Sequence, residues 1–231
     1  MKALLEVFYQ PGKLFASLSE RRFAWVLPLL FVSALGTFSY WLMTHYIGAA
    51  TIARQQLEVY ARNMPPEQMQ AAIARAGSPT QMYISLVSGF FGSALAMLVV
   101  AGAFMAFAQM TSRAPRFATM LAMVCLAWFP YVLVATVMGW LILAISPDPT
   151  SLDYRNLIAT NVGAFMNRNE TSKGLYALMS SLDVLSFAEI FLLSLGFSKV
   201  TKSKLGMGLG VVLGLWAVVV LIKMGFSMLF G

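Results

Sequence analysis

Long apolar segments separated by shorter polar ones dominate the chain. A helix that crosses the hydrocarbon layer of a bilayer needs roughly 20 apolar residues. Lipid cannot form hydrogen bonds with exposed backbone groups, so a segment that crosses it must be a helix or a strand of a closed barrel. These segments are too long and too uniformly apolar for barrel strands. The pattern therefore predicts an all-α polytopic membrane protein. Its five predicted transmembrane helices are at about 23–46, 82–110, 117–145, 175–198 and 205–230.

The segment 1–22 precedes this single transmembrane domain, 23–231, and is amphipathic. Pro11 divides it, and basic residues follow the apolar ones. We predict an interfacial helix, broken at Pro11, that sinks its apolar edges into the membrane surface while its cations reach lipid phosphates. The alternative is a frayed tail. The apolar edges comprise Leu4, Phe8, Leu14, Phe15 and Leu18, and the cations are Lys13, Arg21 and Arg22.

Two loops, 47–81 and 146–174, are long enough to contain structure of their own. In the first, Pro65-Pro66 separates two amphipathic stripes, which predicts a helical hairpin. Ser78-Pro79 is typical of the start of the next helix. The second loop has one apolar stripe, predicting an amphipathic helix through Leu157, Ile158, Val162 and Phe165. We expect these helices to lie against the membrane or cover the bundle, and substrate capture is the alternative.

The composition agrees with this interpretation and excludes others. Hydrophobic residues make up 59% of the chain and charged residues 11%, with a mean hydropathy of +0.76. Soluble domains average about 45–50% apolar and about 25% charged residues, so this composition excludes a soluble domain. It also excludes a disordered chain, which has low hydrophobicity and high net charge. The net charge of +7 indicates loops facing anionic lipid. Its basic residues are too dispersed for nucleic-acid binding.

Basic residues mark the cytoplasmic side of a membrane protein. Nine lie before the first predicted helix or in the two short loops, and six lie in the two long loops among acidic residues. We therefore predict a cytoplasmic N-terminus and, with five spans, a C-terminus outside. The nine are Lys2, Lys13, Arg21, Arg22, Arg113, Arg116, Lys199, Lys202 and Lys204.

Only Asp183, Glu189 and Lys223 place charges inside predicted spans, where a charge normally faces a partner or water. Measured from the cytoplasmic ends of their helices, Asp183 lies about 22 Å and Lys223 about 27 Å along the span. An Asp183–Lys223 ion pair near the outer interface is one interpretation. The other is that each side chain snorkels alone to headgroups or water.

Glu189 lies deeper, about 13 Å from the inner end, with no basic residue at its level. The nearest polar candidates are Ser33 and Ser194. Glu189 could carry protons or bind a cation, or it could be a hydrogen-bonding residue that holds helices together. Six positions separate it from Asp183, so the two point to different sides of the helix and form no carboxylate pair.

Glycines and one proline are the other unusual residues within spans. Gly206, Gly210 and Gly214 recur every four residues, a spacing that lets helix backbones approach closely. They serve packing inside the bundle, or contact with a second copy or a partner membrane protein. Pro130 lies midway along the third span and predicts a kink, which either shapes the bundle or acts as a hinge.

No catalytic, cofactor-binding or metal-binding set is visible in the sequence. Cys125 is the single cysteine and His45 the single histidine. This excludes a disulfide framework within the chain and a cysteine-based zinc site. Cys125 falls in an apolar span, where thiols are usually inert.

Several short motifs resemble the Yip1-domain family across nearly the whole chain. They are Gln10-Pro11-Gly12-Lys13-Leu14-Phe15, Ala127-Trp128-Phe129-Pro130-Tyr131, Ser181-Leu182-Asp183-Val184-Leu185-Ser186-Phe187 and Leu195-Gly196-Phe197. The resemblance implies five spans, a cytoplasmic N-terminus and no known enzymatic activity. Eukaryotic members are associated with Rab GTPases and vesicle traffic. The short N-terminal tail and sizeable outer loops of this chain resemble bacterial members, which implies the bacterial inner membrane.

Two functions are consistent with these observations. The first is a non-enzymatic Yip1-family membrane protein that organises membrane or acts as an accessory subunit, with lipids and a second copy or a membrane complex as partners. The second is a small proton-linked transporter or lipid translocase that uses Glu189 in a central cavity. Glu189 and Lys223 both depart from the apolar residues usual at these positions in the family.

Overall fold

The structure, a computed structural model, describes residues 2–21, 23–60, 64–110, 114–167 and 170–230. Arg22, Arg62, Arg113 and Arg168, which contribute to the predicted charge pattern, lie outside these ranges. Helices make up 83% of the described residues, which contain no β-strand and only an isolated bridge. The helices are α1 (Lys2–Tyr9), α2 (Pro11–Ser17), α3 (Val26–Met43), α4 (Ala49–Tyr60), α5 (Pro66–Ala76), α6 (Pro79–Ala108), α7 (Phe117–Ile145), α8 (Lys173–Met179), α9 (Val184–Val200) and α10 (Leu205–Phe230).

The protein is an all-α membrane protein. In the described ranges, four helical segments are long and apolar enough to cross a bilayer: Val26–Leu57, Pro79–Ala108, Phe117–Ile145 and Leu205–Leu229. The first extends beyond its predicted end at residue 46, because the π-helix Thr44–Gly48 joins α3 to α4 without a break. Gly48 has a φ of 93° there, a conformation that favours glycine.

The predicted fourth span, 175–198, is not one helix. A turn at 180–183 separates α8 from α9, and α9 has 17 residues. Its length is about 25 Å, less than the roughly 30 Å of bilayer hydrocarbon. The expected count of five full-length spans is therefore not confirmed. The chain still runs along the bundle through α9, which packs against α7 and α10.

The central helix is α7. Its most apolar window is 56% buried, against 17–22% for the other three long segments. The main core forms around its first half, where Met97 and Phe104 of α6 and Phe197 of α9 are fully enclosed with Met123 of α7. The outward faces of α6 and α10 are exposed and apolar, as expected of surfaces that contact lipid.

The N-terminal helices are part of this core. Pro11 begins α2 rather than merely breaking a helix, since proline fits the first helical turn. Leu14, Phe15 and Leu18 are buried, and α2 packs on α9 while α1 packs on α7. The prediction that these apolar edges sink into lipid is wrong for this set, because the core covers them. Phe8, in contrast, is half exposed.

The opposite end of the bundle is covered by the hairpin α4–α5 and the loop after α7. The predicted helix through 157–165 is wrong: short 3-10 turns form at Pro149–Ser151, Tyr154–Asn156 and Val162–Phe165. Gln55 of α4 connects this loop to the bundle. Its Nε2 donates to the carbonyl of Leu152 at 3.0 Å, and its Oε1 accepts from the Tyr154 amide at 3.3 Å.

Candidate functional site

A cavity of about 500 Å³ lies at the end of the bundle that contains this loop. It is bounded by α3, α7, α10, the loop residues 154–161 and the break between α8 and α9. The cavity lies beside the first residues of α9, which begins at Val184, and it is also lined by residues of α7 and α10. The polar side chains used below that line it are Tyr131, Arg155, Thr160, Ser180, Ser181, Asp183 and Lys223.

Asp183 is the N-cap of α9. Its Oδ1 accepts from the amides of Leu185 at 2.7 Å and Ser186 at 3.3 Å, which are free donors at the start of a helix. Its Oδ2 accepts from the Thr160 hydroxyl at 2.9 Å. The carboxylate therefore fixes both the start of α9 and the loop beside it.

Lys223 enters the same cavity from α10 but makes no ion pair with Asp183. Its Nζ donates to the hydroxyl oxygens of Ser180 at 3.0 Å and Ser181 at 3.1 Å. Across the described residues, no carboxylate oxygen lies within 4.0 Å of this ammonium group. The predicted Asp183–Lys223 pair is therefore wrong, although both residues lie at the same end of the bundle, as their depths indicated.

Arg155 is the second cation of the cavity, and it is neutralised locally. Its Nε and Nη2 donate to the two carboxylate oxygens of Asp153 at 2.8 and 2.9 Å. Partial burial acts to lower the pKa of Arg155, but the hydrogen bonds and charge of Asp153 outweigh it and raise that pKa. Arg155 also donates to the carbonyl of Gln55 at 3.3 Å, so its role here is to brace the loop.

Glu189 does not line the cavity. Its carboxyl lies beside the indole of Trp128 on α7. The Trp128 Nε1 is buried and has no well-formed hydrogen bond among the described residues. Ser194, an expected neighbour, instead donates to the carbonyl of Ile190 on its own helix at 2.7 Å. Tyr131 of the cavity is within electrostatic reach of both Glu189 and Asp183.

The glycines of α10 divide into two groups. Gly208 faces α9 so closely that a Cβ there would collide with the backbone carbonyl of Ser194. At Gly206, Gly210 and Gly214, no atom of the described residues lies within 4 Å of the position that a Cβ would occupy. Of the two interpretations of these three glycines, packing inside the bundle therefore finds no contact among the described residues. The glycine that packs is Gly208, which lies between the first two members of the predicted stripe.

Pro130 lies inside α7, which continues through it from Phe117 to Ile145. The preceding Phe129 makes edge-to-face contacts with Phe8 of α1, at 6.0 Å between ring centroids, and with Phe31 of α3, at 6.5 Å. The following Tyr131 lines the cavity. Pro130 thus sits between the core and the cavity, and its role as a hinge stays a prediction.

The metal-ligating side chains and the cysteine are scattered in the described ranges. They contain no group of three or more His, Cys, Asp and Glu side chains that could hold a metal ion. Cys125 is fully enclosed in the main core.

Sequence reasoning missed two parts of the site. Trp128 lies 11 residues after the start of α7 and Glu189 lies 11 residues before the end of α9, so a comparison of their depths would have paired them. Thr160 and Arg155 gave no comparable signal in the sequence, since the conformation of a loop brings them to the cavity.

Comparisons with protein-family models, curated proteins and solved structures find no match to this chain.

Proposed function

We propose that the protein is a non-enzymatic accessory or membrane-organising protein of the Yip1 type that associates with a second copy of itself through α10. The observation that carries this proposal is the open glycine stripe, Gly206, Gly210 and Gly214. Packing inside the bundle was the competing explanation for this spacing, and the internal contact is made by Gly208 instead. Small residues on a lipid-facing helix allow another helix to approach closely.

The proposal includes the bacterial inner membrane, with the N-terminus in the cytoplasm and the C-terminus outside. This orientation is supported by the excess of basic residues near the end of the bundle where α1 and α2 lie. The similarity to the Yip1-domain family supports the same arrangement and is carried by the sequence motifs alone.

Gly210→Leu is the test of self-association. In a mild detergent, single-molecule mass measurement of the wild-type chain should give a dimer, and Gly210→Leu should shift it to monomer. Gly102→Leu on α6 is the matched control, since its Cβ position is equally open. A wild-type chain that stays monomeric in mild detergents and in lipid discs would contradict the proposal, as would equal dissociation by both variants.

The cavity favours a second candidate, a transporter or lipid translocase. The version in which Glu189 occupies a central cavity needs revision, because the cavity lies toward one end and Glu189 is outside its lining. In the revised version Tyr131 links Glu189 to the cavity, since it lines the cavity and interacts electrostatically with Glu189. Proteoliposome assays of lipid scrambling should then show flux in the wild type and a loss in Glu189→Gln. Absent or unchanged flux would remove this candidate.

A further inference from the structure

Lys223 is a cation set in an apolar stripe of α10. Positions 219, 222, 223 and 226 fall on one face of a helix, and Val219, Ile222 and Phe226 are 62%, 54% and 59% exposed. Val219 and Lys223 also line the cavity, so the cavity opens onto this apolar surface. A cation at such a position normally requires a partner.

The protein supplies Lys223 with only neutral partners in its described part. The Ser180 and Ser181 hydroxyls that accept from its Nζ donate their own hydrogens to the carbonyl of Ala177, at 3.0 and 2.8 Å. They orient the ammonium group without compensating its charge. An ammonium has three N–H donors, and these two bonds use two of them.

The other charged groups of the cavity already have partners. Asp183 accepts three hydrogen bonds from the loop and the start of α9. Arg155 is held by Asp153. Among the described residues, Lys223 is therefore the cation of the cavity without a carboxylate within 4.0 Å, and the two serines leave one of its N–H donors free.

We propose that Lys223, oriented by Ser180 and Ser181, binds the phosphate of an anionic phospholipid whose acyl chains lie along the Val219, Ile222 and Phe226 face of α10. Lysine binds phosphate as a point charge. Lys223 is about 27 Å from the first residue of α10, close to the roughly 30 Å that separates the two headgroup layers. The cavity then accommodates the headgroup, and the exposed stripe contacts the chains.

Native mass spectrometry of the full chain in detergent tests this site, with phosphatidylglycerol and phosphatidylcholine as probes. The wild type should retain one phosphatidylglycerol, and Lys223→Met should weaken retention about five- to tenfold, the effect of one lysine near an anionic lipid. Lys223→Arg should retain the lipid. Phosphatidylcholine, whose choline offsets the phosphate charge, should bind more weakly.

Lys204→Met is the matched control, because it removes the same charge from the other end of α10. Equal loss in Lys204→Met, full retention in Lys223→Met or equal binding of both lipids would overturn the proposal. Glycerol 3-phosphate distinguishes the source of the phosphate: it should not compete. Competition at equal concentration would assign the site to a soluble phosphate ester and overturn the lipid assignment.

This inference uses the cavity of the translocase candidate but requires neither transport nor self-association. A chain that binds the lipid and moves nothing would contradict that candidate alone. If the wild type scrambles lipid and the Lys223→Met variant binds phosphatidylglycerol as well as the wild type does, only the proposed lipid site is contradicted.

Discussion

Asp183 and Lys223 share a cavity, yet different partners satisfy them. Helix rise alone placed both near the same membrane level, and this part of the expectation agrees with the structure. The pairing itself could not be inferred, because it depends on side-chain direction and on the loop that delivers Thr160. The Ser-Ser-Leu-Asp sequence at 180–183 did carry a signal, since serine and aspartate before an apolar run are typical of an N-cap.

The two residues should therefore contribute independently to stability. Asp183→Ala should lower the free energy of unfolding by about 1–2 kcal/mol, the usual effect of losing an N-cap, while Asp183→Asn should cost less because asparagine also caps. In a double-mutant cycle of Asp183→Asn with Lys223→Met, the effects should add within about 0.5 kcal/mol. Denaturant unfolding in detergent measures this. A larger coupling energy would show that the two charges interact directly.

At the scale of elements, hydropathy located the helices better than their ends or contacts. The predicted segments 117–145 and 205–230 coincide with α7 and α10, and Ser78 caps α6 by accepting from the Gln81 amide at 3.3 Å. The break between α8 and α9 was missed because averaging over a window hides a four-residue polar turn. The sequence also did not reveal which glycine of α10 contacts α9, since the spacing of glycines does not show which face of the helix points into the bundle.

Substitutions of Gly208 and Gly210, on the same helix, should have opposite effects on the stability of the protein. Gly208→Ala should destabilise the protein by about 1–3 kcal/mol, the usual range for overpacking, because the new methyl group meets the Ser194 carbonyl rather than a movable side chain. Gly210→Ala meets open space and should be neutral or stabilising by up to about 1 kcal/mol through helix propensity.

Thermal unfolding of both variants in detergent measures the difference. Gly210→Ala also serves as the control for the loss of glycine itself. Equal unfolding temperatures for the two variants would mean that the close approach of α9 and α10 is not maintained in solution.

At the scale of the whole molecule, composition was sufficient for the class of protein. A chain with 59% hydrophobic residues folds into helices whose outer faces are exposed and apolar. What composition could not provide is the core position of α1 and α2. Amphipathic helices look alike whether their apolar side meets lipid or protein, and only the fold shows that Phe15 is enclosed beside α9.

The proposed orientation can be checked with two exposed glutamines. In a Cys125→Ser background, Gln10→Cys lies between α1 and α2, and Gln68→Cys lies on α5 at the opposite end. A membrane-impermeant maleimide added to intact cells should label Gln68→Cys and label Gln10→Cys only after lysis. The reverse labelling pattern would invert the proposed topology.

The short α9 also makes the protein uneven in hydrophobic thickness. Its length of about 25 Å leaves polar backbone and serines roughly 5 Å inside a layer of about 30 Å. Lipids beside that face must thin or tilt to cover it, at a cost of fractions of a kcal/mol per ångström of mismatch. Acyl-chain length therefore becomes a variable to which this side of the bundle responds.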